Sequence, residues 1–149
     1  MEVFRISREK YSSRLSSSGT ANRWNHDNEY VIYTAEARSL ATVELIAHRN
    51  AIMKGSDYKM ITISFPDEED LITRIPIKTL PEKWQLVDSY SKLQDIGSSW
   101  YHTEASLILK VPSAIIPQEF NYIINTRHPD FKDVLLVRTK DYSWDNRLL

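Results

Sequence analysis

Arg23-Trp24-Asn25, Tyr33 and Glu44 are the residues whose types and spacing could do chemistry together. A guanidinium sets two parallel hydrogen bonds on a diphosphate, a task its planar fork performs better than an ammonium. An aromatic ring offers a stacking face, and a carboxylate stabilises positive charge that develops on a sugar. The set is suited to binding a dinucleotide and stabilising a sugar cation. Each member also has a plainer assignment. Arg23 alone fits a surface salt bridge, Trp24 a core aromatic, Asn25 a turn residue and Tyr33 a core or rim position.

Glu44 is the most unusual of them by pattern. On a helical wheel it falls between Ala37, Leu40, Ala41 and Ala47, while Arg38 and Arg49 lie on the far side. A carboxylate there, buried without partners, would cost several kcal/mol or be forced to protonate, so it must meet a cation, donors or a cleft. A structural ion pair with a nearby arginine, or a helix rotated to expose it, meets that demand as well as a catalytic role does.

The elements that must position these residues follow from periodicity. Glu2 to Ile6 fits a first strand, and the polar Ser12 to Thr20 stretch, with Gly19 near its end, reads as a loop that leads to Arg23. Tyr30 to Thr34 is a β-branched and aromatic strand, and Ala35 to Ala51 has helical spacing, which puts Tyr33 where strand gives way to helix. Lys59 to Phe65 alternates, and Leu71 to Ile77 is a second extended segment, pushed towards an edge by Pro76; the two are expected to be neighbours. Beyond a loop around Pro81 and Trp84, Ser106 to Val111, Tyr122 to Ile124 and Val134 to Arg138 are further strands. Strands interrupted by one helix, without regular βαβ alternation, predict an α+β fold: a single domain over 1–149 with a mixed, mainly antiparallel sheet.

Other chemistries lack their residues. His26, His48, His102 and His128 are scattered without an HxxxH pair, so no metal is expected, and there is no cysteine for a disulfide or thiolate site. Ser113 follows Pro112 without a GxSxG elbow. Glycines at 19, 55 and 97 build neither GxGxxG nor a Walker loop, so any nucleotide is held another way. A net charge of -1 argues against direct nucleic-acid binding, and with no signal-like or membrane-length apolar run the expectation is a cytoplasmic protein.

The whole chain resembles the RES domain family, toxins of bacterial toxin–antitoxin pairs. The matching pieces run in order: Phe4-Arg5-Ile6, Arg23-Trp24-Asn25, Val31-Ile32-Tyr33-Thr34, Ser39-Leu40-Ala41-Thr42-Val43-Glu44, then Trp100. Val111-Pro112-Ser113-Ala114-Ile115-Ile116-Pro117, Asn121-Tyr122-Ile123-Ile124-Asn125 and His128-Pro129-Asp130-Phe131 follow, and Trp144-Asp145-Asn146-Arg147-Leu148 closes the match. The family's glycine-rich lead into Arg-Trp-Asn is here Ser16 to Asn22 with only Gly19.

The resemblance implies a fold similar to ADP-ribosyltransferases and consumption of NAD by cleavage of its nicotinamide–ribose bond, as a glycohydrolase or phosphorylase. Arg23, Tyr33 and Glu44 fall on the family's catalytic positions. Arg5 and Ser113 join Arg23 and Tyr33 in the NAD pocket. Under that resemblance Arg23 and Arg5 neutralise the diphosphate, Tyr33 stacks on the nicotinamide or ribose edge, Glu44 faces the sugar cation and Ser113 donates a hydrogen bond nearby. A cognate Xre-type DNA-binding antitoxin is the implied partner, with room for a homodimer within that complex. Two alternatives stay open: transfer of ADP-ribose to a cellular protein, and a catalytically silent module that holds its antitoxin. An RNA-directed toxin would need a basic stripe that the sequence lacks.

Overall fold

Among the described residues, alternating apolar residues build seven strands into one sheet, and two amphipathic helices cover one of its faces. The computed structural model describes residues 1–48 and 52–148. In chain order the elements are β1 (Glu2–Arg8), β2 (Val31–Ala35), α1 (Arg38–Ala47), β3 (Tyr58–Ser64), β4 (Ile72–Arg74), α2 (Tyr90–Thr103), β5 (Ile108–Pro112), β6 (Phe120–Asn125) and β7 (Leu135–Tyr142). The strands lie in the order β4-β5-β6-β2-β1-β3-β7. Every pairing is antiparallel except β4 with β5, so the expected α+β architecture with a mixed, mainly antiparallel sheet is what forms.

The sheet is nearly split. β1 and β3 are in register from Glu2↔Ser64 to Arg8↔Tyr58, and β2 and β6 from Val31↔Asn125 to Ala35↔Asn121. β1 and β2 share one registered pair, Phe4↔Ala35. Beyond it the two strands part, leaving a gap between a β4-β5-β6-β2 half and a β1-β3-β7 half. Each half has its own helix. Leu40 and Ala41 of α1 pack with Phe4, Ala35 and Met60, whereas Leu93, Trp100 and Tyr101 of α2 pack with Trp24, Val31, Leu109 and Ile123. The opposite face buries Val3, Ile32, Ile63, Ile108 and Ile124 under Leu15, Phe65 and Phe131.

Three expectations need correction. Leu71 to Ile77 does not neighbour Lys59 to Phe65: β4 sits at the far edge of the sheet, parallel to β5, because Thr73 and Arg74 pair with Leu109 and Lys110. Pro76 ends it there, in keeping with an edge position. The first helix starts at Arg38 and not at Ala35, since Ala35 completes β2 and the Glu36 carboxylate accepts from the Phe120 amide; Arg49 and the rest of 49–51 lie outside the described residues. Finally, α2 was not expected at all. Leu93, Gly97, Trp100 and Tyr101 do fall at helical spacing on its buried side, but serines and Gln94 dilute the pattern between them.

Candidate active site

Where β1 and β2 part, a cavity of about 380 Å³ opens between the two half-sheets. Phe4, Arg5 and Ile6 line it from β1, Tyr33, Thr34 and Ala35 from β2, and Ala41, Glu44, Leu45 and His48 from the α1 side, with Arg23 and Trp24 at the loop before β2. Arg5 alternates to the opposite face from Phe4 and Ile6, yet reaches the same cavity because the gap between the strands is open. Four of the five residues singled out in the sequence therefore share one wall system, and the fifth, Ser113, touches it through Glu44.

Glu44 projects from the half-buried flank of α1, next to Ala41. Its Oε1 accepts a hydrogen bond from Ser113 Oγ at 2.7 Å. Ser113 is 0% exposed, and its oxygen in turn accepts the Ile115 and Ile116 amides, each at 3.1 Å. The hydroxyl proton is thus committed to the carboxylate, so Ser113 holds Glu44 in place and is not itself a wall of the cavity. Ser113→Ala should leave Glu44 free to change rotamer and should leave the two amides without their acceptor. We expect a kcat decrease of about tenfold and a smaller change in KM, checked by steady-state kinetics on the folded variant.

Tyr33 is held as firmly. Its hydroxyl donates to Asn25 Oδ1 at 2.6 Å and accepts from the Trp24 amide at 3.0 Å, which ties the cavity floor to the Arg23-Trp24-Asn25 loop. Burial, more than any charge, pushes this phenol well above its ordinary value of 10, even though the Trp24 amide works the other way. The phenol stays protonated through the physiological range and offers its ring, not an acid or base. A raised folded-state pKa contributes stability in full below the ordinary phenol value and loses it as pH rises beyond. Wild-type protein should therefore lose stability above about pH 10 more steeply than Tyr33→Phe, measured by urea unfolding at stepped pH.

The Asn22–Asn28 loop is clamped from several sides. Asn25, 1% exposed, donates to the Thr20 and His26 carbonyls at 3.0 Å. Glu29, buried, accepts from the His26 amide and from Ser98 Oγ and faces His102 Nε2 at 2.8 Å, while Gln94 donates to the Asn22 carbonyl. Arg23 leaves that loop to donate to the Gln85 carbonyl at 2.8 Å and to lie over the Tyr90 ring at 4.7 Å. Trp24 is the core aromatic of its plainer assignment, at 3% exposure, and one edge of it still reaches the cavity.

Two guanidiniums bring positive charge to the site. Burial lowers the pKa of Arg5, though a guanidinium stays charged, and it donates to the Ser16 carbonyl at 3.3 Å. Among the described residues neither Arg5 nor Arg23 has an acidic partner within 4 Å. A partly buried cation without a counterion favours an anionic ligand. Glu44 lies in the same cavity, so its walls present both signs of charge. Sequence reasoning passed over Asn121 and His48, which also line the cavity. The signal for His48 was its position four residues after Glu44 on one helix flank; Asn121, on β6, had none that periodicity could show.

A family model for the RES domain matches residues 2–145. The chain belongs to the RES domain family. "Toxin Res" of Photorhabdus laumondii is 32% identical, with 100% of this chain and 97% of that protein covered. The "Prs ADP-ribosylating toxin" of a Sphingobium species is 30% identical over 91% of this chain and 86% of its own length. Among solved structures, the toxin chain fold is shared with the M. tuberculosis MbcT–MbcA toxin–antitoxin complex, at TM-score 0.75 and 20% identity, covering 95% of this chain and 84% of that one. The resemblance read from the sequence is thereby borne out at the level of the RES domain family, and the split sheet with its two helices is the RES fold as this chain builds it.

Proposed function

We propose that this RES domain is the toxin of a toxin–antitoxin pair and that it consumes NAD by breaking the nicotinamide–ribose bond. The observation that carries the reading is one cavity in which the Glu44 carboxylate, fixed by Ser113, shares walls with two guanidiniums that have no acidic partner among the described residues. Arg5 and Arg23 neutralise the diphosphate. Tyr33 presents its ring to the nicotinamide or ribose. As the C1′–N bond breaks, its electron pair leaves with neutral nicotinamide and positive charge builds on the ribose, where Glu44 opposes it. Water or phosphate then attacks C1′, and the proton it sheds passes to solvent.

Arg23→Lys tests the first of these roles. An ammonium cannot reproduce the fork or lie on Tyr90 as a planar guanidinium does, so the NAD concentration for half-maximal rate should rise about tenfold, with a smaller fall in kcat. Unchanged NAD dependence would make Arg23 a structural strut for the Gln85 loop.

A second reading, transfer of ADP-ribose to a cellular protein, is favoured by the name of the Sphingobium relative. The two share every step up to the acceptor. Incubating purified protein with NAD and following nicotinamide separates them: release by protein alone, or accelerated by phosphate, supports hydrolysis or phosphorolysis, and release that needs cell extract and labels a protein supports transfer. No release in any condition overturns both and leaves a silent antitoxin-binding module. The partner we assign is an Xre-type DNA-binding antitoxin in the cytoplasm, supported by the toxin–antitoxin complex that shares this fold. Adding it should suppress nicotinamide release in proportion to the complex formed.

A further inference from the structure

A second cavity, of about 330 Å³, lies against α1 roughly a third to nearly half a turn around the helix from Glu44, between the helix and the outer strands β3 and β7. Three cations, Arg38, Arg138 and Lys140, line it, and none of them has an acidic partner within 4 Å among the described residues. The acid in the lining, Asp141, is already engaged by Lys59, which also reaches Glu9. A chain of net charge -1 thus gathers three uncompensated positive charges in one recess. Arg38 is held over the Phe4 ring at 4.3 Å, which fixes its place.

The floor of this recess is polar where a core would be apolar. Thr62, on the inward face of β3 beside Met60, is 1% exposed and lines the cavity. Thr42 and Tyr142 also line the wall, but their protons are committed: the Tyr142 hydroxyl donates to Thr42 Oγ1 at 3.1 Å, and Thr42 donates to the Arg38 carbonyl at 3.0 Å. Three cations around a recess with the Thr62 side chain on its floor match a tetrahedral oxyanion with several acceptor oxygens.

We propose that this recess binds a phosphate group, either free orthophosphate or the end of a small phosphate ester. It is distinct from the NAD cavity and lies across α1 from Glu44, so the anion it takes is not the acceptor in NAD cleavage. The proposal stands without the functional reading above. The test is an amide-resolved NMR titration of the full chain with orthophosphate, chloride being adjusted to hold ionic strength. Saturable shifts are expected at Ser39, Thr42, Thr62 and Lys140. The double variant Arg138→Gln/Lys140→Gln should raise the dissociation constant at least tenfold and Thr62→Val severalfold, whereas Arg5→Gln, in the other cavity, should leave these shifts unchanged. Ribose 5-phosphate in parallel identifies the source: tighter binding than orthophosphate assigns a sugar ester, equal binding the free ion. Non-saturating shifts at those amides, or shifts lost in Arg5→Gln and kept in the double variant, would overturn the site.

Discussion

Glu44→Gln should fold as the wild type does and lose nearly all NAD turnover, with kcat down about a hundred- to a thousandfold, the scale on which removing one preorganised electrostatic group acts. The expectation follows from what the change leaves intact. Glutamine has the volume of glutamate and keeps a carbonyl oxygen that can accept the Ser113 proton, so the link seen at 2.7 Å survives. What disappears is the negative charge, and the step proposed for this cavity generates a positive one on the ribose. Single-turnover measurement of nicotinamide release, together with thermal unfolding of the same preparation, separates chemistry from folding. If a folded variant turns over near the wild-type rate, Glu44 is a structural carboxylate held by Ser113 and the catalytic assignment fails.

Gly97→Ala should be strongly destabilising, although it adds a single methyl. Gly97 lies on the buried side of α2, and a Cβ there would stand 1.7 Å from the Trp24 carbonyl oxygen and 2.7 Å from its carbonyl carbon. Both are backbone atoms, so no rotamer change relieves the overlap, and the helix or the Arg23-Trp24-Asn25 loop has to move. Alanine is the better helix former by about 1 kcal/mol, an advantage the clash outweighs. We expect a destabilisation of about 3 kcal/mol or more, a fall of roughly 10 °C in Tm for a domain of this size. A second consequence is functional. The same loop carries Arg23 and receives the Tyr33 hydroxyl bonds, so the part of the population that stays folded should bind NAD more weakly. A Tm within about 2 °C of wild type would show that α2 does not depend on this close approach.

The sequence by itself determined the family and most strand positions, and it singled out candidate residues, four of which the structure gathers at one cavity. Lys59 to Phe65 was legible because Ile61, Ile63 and Phe65 recur at a period of two, which is local information, although the structure buries Met60 and Thr62 on its other face as well. Glu44 stood out because a carboxylate on the apolar arc of a helix demands a partner, and that demand can be read without knowing the partner. The tertiary structure alone decided which partner it was. Ser113 lies 69 positions away and meets Glu44 only because β5 and α1 converge on the same gap.

Long-range order was the other matter left to the fold. Nothing local shows that β4 crosses to the far edge and runs parallel to β5, or that β1 and β2 touch at Phe4↔Ala35 and then part to make the cleft. Strand order depends on which apolar faces bury one another across the whole chain, and short periodic segments do not encode it. The role of Tyr33 shows the same division. A strand tyrosine near a cleft was visible as a ring that could stack, but its hydroxyl turned out to brace the loop beneath Arg23, since Asn25 and the Trp24 amide are brought to it by the packing of α2 against that loop. Residue types set what chemistry was available, and the gap between two half-sheets set where it could be gathered.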